Sequence, residues 1–157
     1  HQTDHTITLV EGAAPMNIRP YKLAHYLKDE DEKQVANMMA CGIIRHNNSP
    51  YASFIILVKK KDGSWRMYVD YRTLNKLRVP HRYPIPVIKQ LLEELHEAKF
   101  FTKPDVKSGF RQVRVRAEDV GKTIFRTHGG HYEFLVMLCG LMNVPTTFHP
   151  TMNQVFS

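Results

Sequence analysis

The sequence predicts an α+β fold in which antiparallel strands pack with helices. Apolar segments flank the Asp-Gly pair at 62–63, and further apolar segments flank the Gly-Gly pair at 129–130. Such pairs are typical of tight hairpins, whose central residues often need a positive φ. Elsewhere apolar residues recur at helical spacing. A content of 43% hydrophobic and 24% charged residues is that of a globular domain.

The first half of the chain is predicted to contain one helix and the first hairpin. Residues 1–24 show no apolar periodicity and include two prolines, which indicates an extended lead-in. Apolar residues then follow helical spacing from about Tyr26 to Cys41, and Gly42 is suited to end this helix. After a turn at 47–50, the hairpin strands are expected at Phe54–Lys59 and Trp65–Asp70.

The second half is predicted to alternate short strands with helices. Pro86 is suited to open a helix that continues to about Leu95. A strand is expected at Phe100–Val106, with Asp105 near its end, and a turn follows it. Val113 and Val115 alternate with polar residues, as in a half-buried strand. The remaining elements are expected at Thr123–Thr127, at His131–Val136 and, as a terminal helix, at Pro145–Phe156.

The positive charge of the chain is concentrated in two blocks. The net charge is +7, and residues 59–82 contribute +6 while residues 99–126 contribute +5. One interpretation is a solvated charged face. Aromatic residues are interleaved with both blocks, however, and this pattern fits a groove for a polyanion somewhat better.

Other features exclude some classes of protein. No apolar run approaches the roughly 20 residues that a membrane helix needs, so no membrane partner is expected. Cys41 and Cys139 are too few for a disulfide scaffold and form no CxxC pair, which favours a reducing, intracellular compartment. Histidines such as His128 and His131 lack partners at metal-binding spacing and are expected on the surface. The first residue is His1, which suggests an excerpt from a longer chain.

A lone aspartate such as Asp105, at the end of an apolar strand, is more often a turn former than a metal ligand. The segments around Asp105 in the sequence make the metal-ligand interpretation the favoured one. The chain closely resembles reverse transcriptases of Gypsy-class long-terminal-repeat retrotransposons, and the resemblance covers nearly the whole chain in order, from about Asp4 onward. The matching segments are Ile43–Arg45, Ser49-Pro50, Lys59–Arg66, Val69–Lys76, Tyr83–Pro86, Asp105, Ser108–Phe110, Lys122-Thr123, Phe125–Thr127, His131–Phe134, Met137, Gly140-Leu141, Asn143, Pro145 and Thr147-Phe148.

This resemblance implies the fingers and a truncated palm of a right-hand polymerase. The fingers would occupy approximately 25–82 and 112–143, and the palm approximately 83–111 and 144–157. The implied activity is RNA- and DNA-templated DNA synthesis, in which Mg²⁺ assists phosphoryl transfer from deoxynucleoside triphosphates to a primer. The implied partners are a primed RNA or DNA template, the nucleotides and the remainder of a polyprotein.

The resemblance also assigns roles around the nucleotide. Lys60 and Arg66 match residues that grip the triphosphate, for which a mobile ammonium and a planar guanidinium are suited. The alternative is an ordinary exposed basic hairpin. Asp105 matches the first metal-binding catalytic aspartate, and the Val106 carbonyl is a plausible further ligand because Mg²⁺ prefers oxygen donors.

Further residues are assigned to the sugar, the pocket wall and the template. Phe110 matches the aromatic that rejects a ribose 2′-hydroxyl, although it is also suited to an ordinary core position. Cys139 and Gly140 fall in the segment that lines the nucleotide pocket. The residues expected to brace the template are Asp70, Arg72, Asn75 and Asn143.

Several positions depart from the family pattern. The paired-aspartate turn that the family places further along is absent from residues 1–157. Pro104 and Pro150 fall within a predicted strand and helix, and Cys139 replaces an aromatic residue. These departures suggest a partial or decayed copy that is inactive alone. The alternatives are a non-catalytic nucleic-acid-binding remnant and an unstable relic without function.

Overall fold

The structure, a computed structural model, describes residues 4–13, 27–49, 52–80, 89, 93, 95–96, 99–100, 106 and 108–156. Its centre is a five-stranded sheet with the strand order β1-β5-β4-β2-β3. The strands are β1 (Ile44–His46), β2 (Ser53–Lys59), β3 (Trp65–Val69), β4 (Phe125–Arg126) and β5 (His131–Phe134).

The hairpin of β2 and β3 confirms the prediction made from the Asp-Gly pair. Its ladder runs from Ile55 opposite Val69 to Lys59 opposite Trp65. At the tip, Gly63 has a φ of +81°, which a glycine adopts without steric cost. The Asp62 carboxylate accepts a hydrogen bond from the Ser64 backbone N–H at 2.9 Å. Local chemistry alone therefore specifies this turn.

The second hairpin, β4–β5, is also confirmed, but its first strand is shorter than predicted. Residues Ala117–Thr123 form a 3-10 helix, so β4 contains only two residues. The predicted antiparallel pairs are present, and in addition β4 pairs with β2 in parallel, a contact that was not predicted. A parallel pair needs a long crossover, and about 65 residues separate these strands along the chain.

The described residues include three α-helices. The first predicted helix is confirmed as α1 (Lys28–Ala40), which is followed by Gly42 with a φ of +65°. A short helix, α2 (Arg72–Lys76), was not predicted. The terminal helix is confirmed as α3 (Val144–Phe156) and continues through Pro150. The predicted helix from Pro86 and the predicted strand ending at Val106 fall almost entirely outside the described residues.

The predicted strand at 113–115 is only partly formed. Val113 and Val115 are buried and the intervening arginine is exposed, as the alternation predicts. Arg114 and Val115 nevertheless form only isolated bridges, to Val136 and His5 respectively. These residues therefore connect separate parts of the chain without belonging to the main sheet.

The N-terminal strap, defined here as His5–Val10, is part of the folded unit. Ile7 is fully buried in the cluster that also contains Tyr71 and Leu141. The Val10 N–H donates to the Leu77 carbonyl at 2.8 Å. His5 is fully buried as well and is an exception to the expectation that most histidines lie on the surface. Its burial is possible because Nδ1 lies 2.8 Å from the Thr147 hydroxyl.

Candidate functional site

A cavity of about 390 Å³ lies at the edge of the sheet, where β3 meets α1 and the segments around 108–111 and 137–139. It contains polar, basic and aromatic side chains from parts of the chain that are far apart in sequence. Its lining residues include Gln34, Lys60, Trp65, Arg66, Phe110 and Cys139.

Two cations border the cavity on the β2–β3 hairpin. Lys60 follows β2 at the hairpin turn, and Arg66 lies on β3, the edge strand. Both side chains are exposed. The Arg66 guanidinium donates a hydrogen bond to the Tyr68 hydroxyl at 3.5 Å, and this contact raises the pKa of Arg66 above its ordinary value. Two basic side chains therefore border a space that is open to solvent.

The opposite side of the cavity is built from Ser108–Arg111. Ser108 has a φ of +53°, and a 3-10 helix (Gly109–Gln112) begins after it. Phe110 packs edge-on against Phe148 of α3, with ring centroids 4.8 Å apart. A Cβ on Gly109 would lie 3.0 Å from the Phe148 ring, so this position requires glycine or a shift of the ring. Phe110 is thus held by packing while it lines the cavity.

The predicted metal ligands are only partly described. Asp105 lies outside the described residues, so its orientation relative to Lys60 and Arg66 stays a prediction. The Val106 carbonyl accepts a hydrogen bond from the Gly109 N–H at 3.2 Å. Among the described residues, no group of three His, Cys, Asp or Glu side chains is suited to hold a metal ion.

Cys139, which lines the cavity, begins a turn that ends at Asn143. The Gly140 carbonyl accepts a hydrogen bond from the Asn75 amide at 2.9 Å, and the same side chain accepts one from the Met142 N–H at 2.8 Å. The Asn143 amide donates to the Val79 carbonyl at 3.0 Å. Asn75 and Asn143 are therefore both engaged in holding this turn.

Asp70 and Arg72 form an ion pair beside the hairpin. The Arg72 guanidinium donates from two nitrogens to the two carboxylate oxygens, at 2.9 and 2.7 Å. This contact lowers the pKa of Asp70 below its ordinary value. Arg72 remains largely exposed, so its outer face is accessible to a ligand.

The structure thus brings together four of the predicted site residues, Lys60, Arg66, Phe110 and Cys139, around one cavity. Gly140 and Val106 lie next to lining residues, whereas the predicted template residues do not line the cavity. Sequence reasoning missed Gln34, whose amide donates to the Trp65 carbonyl at 2.8 Å. It also missed Arg111, although the basic block at 99–126 pointed to that region.

A family model described as "Reverse transcriptase (RNA-dependent DNA polymerase)" matches residues 58–157, which is well over half of the chain. The chain belongs to the reverse transcriptase family. This confirms the resemblance that its motifs indicated.

Relatives of this reverse transcriptase chain are retrotransposon polyproteins. It is 42% identical over 147 residues to the Pol polyprotein of transposon 297 from Drosophila melanogaster, covering 90% of this chain and 14% of the relative. It is 36% identical to the Pol polyprotein of transposon gypsy from the same species, covering 96% and 15%. The Tf2-3 polyprotein of Schizosaccharomyces pombe is 37% identical, with 95% and 11% covered. The chain therefore spans between 11% and 15% of the length of these relatives.

Solved structures share its fold. The native prototype foamy virus protease–reverse transcriptase superposes with a TM-score of 0.80 at 22% identity, over 96% of this chain and 20% of that one. A foamy viral protease–reverse transcriptase solved in complex with double-stranded DNA gives 0.77 at 23% identity, over 98% and 26%. This confirms the predicted fold class. In the described part of this reverse transcriptase chain, no helix is both long enough and apolar enough to cross a membrane.

Proposed function

We propose that this chain forms the nucleotide-binding part of an RNA-directed DNA polymerase, with the cavity beside β3 receiving a deoxynucleoside triphosphate. The observation that carries this proposal is the placement of Lys60 and Arg66 on the rim of a cavity that also contains an aromatic side chain, Phe110. The cations would bind the phosphates, and the ring would contact the sugar.

The charges and their surroundings suit this ligand. A triphosphate carries several negative charges, and hydrogen bonds between charged groups are about twice as strong as neutral ones. Arg66 offers a planar fork of donors and Lys60 a mobile ammonium. Phe110 is buttressed by Phe148 at 4.8 Å and is therefore a rigid surface against which an additional hydroxyl group would collide. In this role Cys139 contributes to the lining of the pocket, and Gly140 lies directly behind it in the chain.

Mg²⁺ is the ion proposed for the intact enzyme, because carboxylate and carbonyl oxygens suit a hard cation. When bound, it would neutralise charge on the transferring phosphate. Asp105 and the Val106 carbonyl would hold it. Among the described residues no group of three His, Cys, Asp or Glu side chains could hold the ion. The residues around the cavity, Val106 apart, are assigned to bind and orient the nucleotide.

The proposed division into subdomains follows the sequence prediction. The fingers comprise approximately 25–82 and 112–143, the palm comprises approximately 83–111 and 144–157, and residues 1–24 precede them. Residues 1–157 contain no Asp-Asp pair. We infer that these residues by themselves bind nucleotide and a primed RNA or DNA template without extending the primer. The remaining catalytic carboxylates would come from the rest of a polyprotein.

A second candidate is a nucleic-acid-binding module without a nucleotide site. The +6 charge of residues 59–82 favours it, because phosphate neutralisation gives affinity without sequence preference. This module would bind a primed duplex with strong salt dependence. It would show no preference for a nucleoside triphosphate over the nucleoside.

Trp65 provides the assay that separates the two candidates. It is the chain's one tryptophan and lines the cavity, so its fluorescence reports on ligands there. We expect dTTP with Mg²⁺ to change this signal saturably, while thymidine does not. Lys60→Ala and Arg66→Ala should each weaken dTTP binding about tenfold, because hydrogen bonds to charged groups contribute about 1.5–3 kcal/mol.

Lys61→Ala is the matched control. It removes the same charge one residue further along the hairpin turn, from a position that is exposed and does not line the cavity. Its dTTP affinity should stay within about twofold of the parent chain. If Lys60→Ala and Lys61→Ala weaken dTTP binding equally, the affinity depends on the overall positive charge of the hairpin and not on a contact made by Lys60. Equal affinity for thymidine and dTTP would overturn the nucleotide proposal.

A further inference from the structure

The turn from Cys139 to Asn143 begins at a residue that lines the cavity, and side chains from α2 and the segment after it hold the turn in place. Gly140 in this turn has a φ of +101° and Asn143 has one of +68°. The turn is thus not a continuation of a regular strand or helix. Asn75, with one hydrogen bond from each end of its amide, bridges the Gly140 carbonyl and the Met142 N–H.

Arg78 supports the same turn from the buried side. Its guanidinium donates to the Met142 carbonyl, and its other terminal nitrogen donates to the Thr6 carbonyl at 3.0 Å. That nitrogen also lies 3.4 Å from Nε2 of His5. Burial lowers the pKa of Arg78 to about 10, so the group still carries its charge at neutral pH. The turn, the N-terminal strap and the segment after α2 are joined at this one side chain.

These contacts give Asn75 a different role from the template contact that the sequence predicts. Both functional groups of the Asn75 amide contact the turn, and the side chain does not line the cavity. Cys139, at the start of the turn, does line it. A change at Asn75 would therefore reach the nucleotide through the position of Cys139 and Gly140.

We propose that Asn75 and Arg78 are positioning residues that hold the Cys139–Asn143 turn as a fixed wall of the nucleotide pocket. This inference rests on the proposed function. It predicts that loss of the Asn75 amide weakens nucleotide binding while template binding is preserved.

The test uses the full 157-residue chain with Cys41→Ser, which leaves Cys139 as its one thiol. Asn75→Ala removes both contacts, and Asn75→Gln restores both polar groups on a longer side chain. Asn37→Ala is the matched control, because it truncates an exposed asparagine on another helix, α1. Three quantities are measured: the reaction rate of Cys139 with a thiol reagent, the dTTP dissociation constant from Trp65 fluorescence, and the dissociation constant for a primed RNA–DNA duplex.

For Asn75→Ala we expect a several-fold faster thiol reaction and about five- to tenfold weaker dTTP binding, with duplex affinity within about twofold of the parent. Asn75→Gln should recover part of both changes, and Asn37→Ala should match the parent. The thiol rate reports on the turn without any nucleotide, so a loosened wall is detected independently of binding.

Each other outcome has a definite meaning. If the parent binds dTTP and Lys60→Ala weakens that binding, but Asn75→Ala behaves as Asn37→Ala does, the positioning role is wrong and the proposed function stands. If Asn75→Ala weakens the duplex and not dTTP, Asn75 is a template contact and the inference is overturned. If Asn75→Ala does not fold, the same comparisons made with Asn75→Gln decide between these results. If the parent does not bind dTTP at all, the proposed function itself fails.

Discussion

Replacing Asp119 with alanine is expected to destabilise the chain by about 2–4 kcal/mol, because this carboxylate anchors the N-terminal strap. One of its oxygens accepts a hydrogen bond from the Ile7 N–H at 2.8 Å, and the other contacts the Lys122 ammonium at 2.5 Å. Lys122 also donates to the Ile7 carbonyl at 2.7 Å. The strap is therefore held through the backbone N–H and the backbone carbonyl of Ile7.

The magnitude follows from how deeply each partner is buried. Removing one partner of a buried ion pair costs about 3–5 kcal/mol, and a stranded buried N–H costs about 1–3 kcal/mol. The Asp119 side chain is 6% exposed, but that of Lys122 is 33% exposed. Once Asp119 is removed, water can solvate the partly exposed Lys122 ammonium. The loss of unfolding free energy is therefore smaller than the sum of the two costs given above. Even so, the loss is a large share of the roughly 5–15 kcal/mol that stabilises an ordinary domain.

The neighbouring residue provides the control. Glu118 pairs with Arg116 at 3.2 Å, but these side chains are 69% and 49% exposed. Glu118→Ala should therefore change the free energy of unfolding by less than about 1 kcal/mol. Urea denaturation followed by circular dichroism measures both variants, and Lys122→Met completes a double-mutant cycle with Asp119→Ala. If the two alanine variants differ by less than about 1 kcal/mol, the strap is not anchored as described.

Three further outcomes are expected. Phe125→Ala should cost about 3–5 kcal/mol of unfolding free energy by urea denaturation, because this fully buried ring stacks on Phe134 at 4.6 Å. Gly63→Ala should destabilise the hairpin by about 1–2 kcal/mol on the same measure, since its φ is +81°. Burial raises the pKa of Asp31, so the folded state favours its protonated form. The stability of the parent relative to Asp31→Asn should therefore rise as the pH falls from 7 towards 4.

Matched variants define what would contradict these expectations. Gly121→Ala places its new methyl group in open space at an ordinary φ and should hardly change the free energy of unfolding. If it destabilises the chain as much as Gly63→Ala does, the positive φ of Gly63 is not the cause. Asp29→Asn changes an exposed carboxylate in the same turn of α1, and an equal pH trend in that variant would show that the burial of Asp31 is not the cause. Tyr68→Ala, at a partly exposed position of the same sheet, should cost far less than Phe125→Ala.

Features encoded by neighbouring residues were predictable from the sequence. The β2–β3 hairpin follows from the Asp-Gly pair and its flanking apolar segments, and α1 from its spacing and Gly42. The parallel pairing of β2 with β4 was not predictable in this way. It depends on Ser53 meeting Phe125 across a crossover, and no local pattern encodes that contact.

The residues of the candidate site were likewise predictable only where neighbouring residues in the sequence encode them. Lys60 and Arg66 were identified because the hairpin that carries them contains a continuous run of residues characteristic of reverse transcriptases. Gln34 reaches the cavity only through the packing of α1 beside β3, which a single sequence does not reveal. Arg78 had no local signal beyond its positive charge. Its role emerges from partners in the strap and in the 139–143 turn.

The two walls of the cavity have different mechanical support. Lys60 and Arg66 belong to a hairpin whose outer strand, β3, is the edge of the sheet, and the tip of that hairpin is exposed. The turn from Cys139 to Asn143 is tied by Asn75 and by the buried Arg78 to α2 and the N-terminal strap. Buried, hydrogen-bonded networks resist displacement more than exposed hairpin tips do. If the cavity narrows around a triphosphate, we therefore expect the β2–β3 hairpin with Lys60 and Arg66 to move. The turn from Cys139 to Asn143 should keep its position.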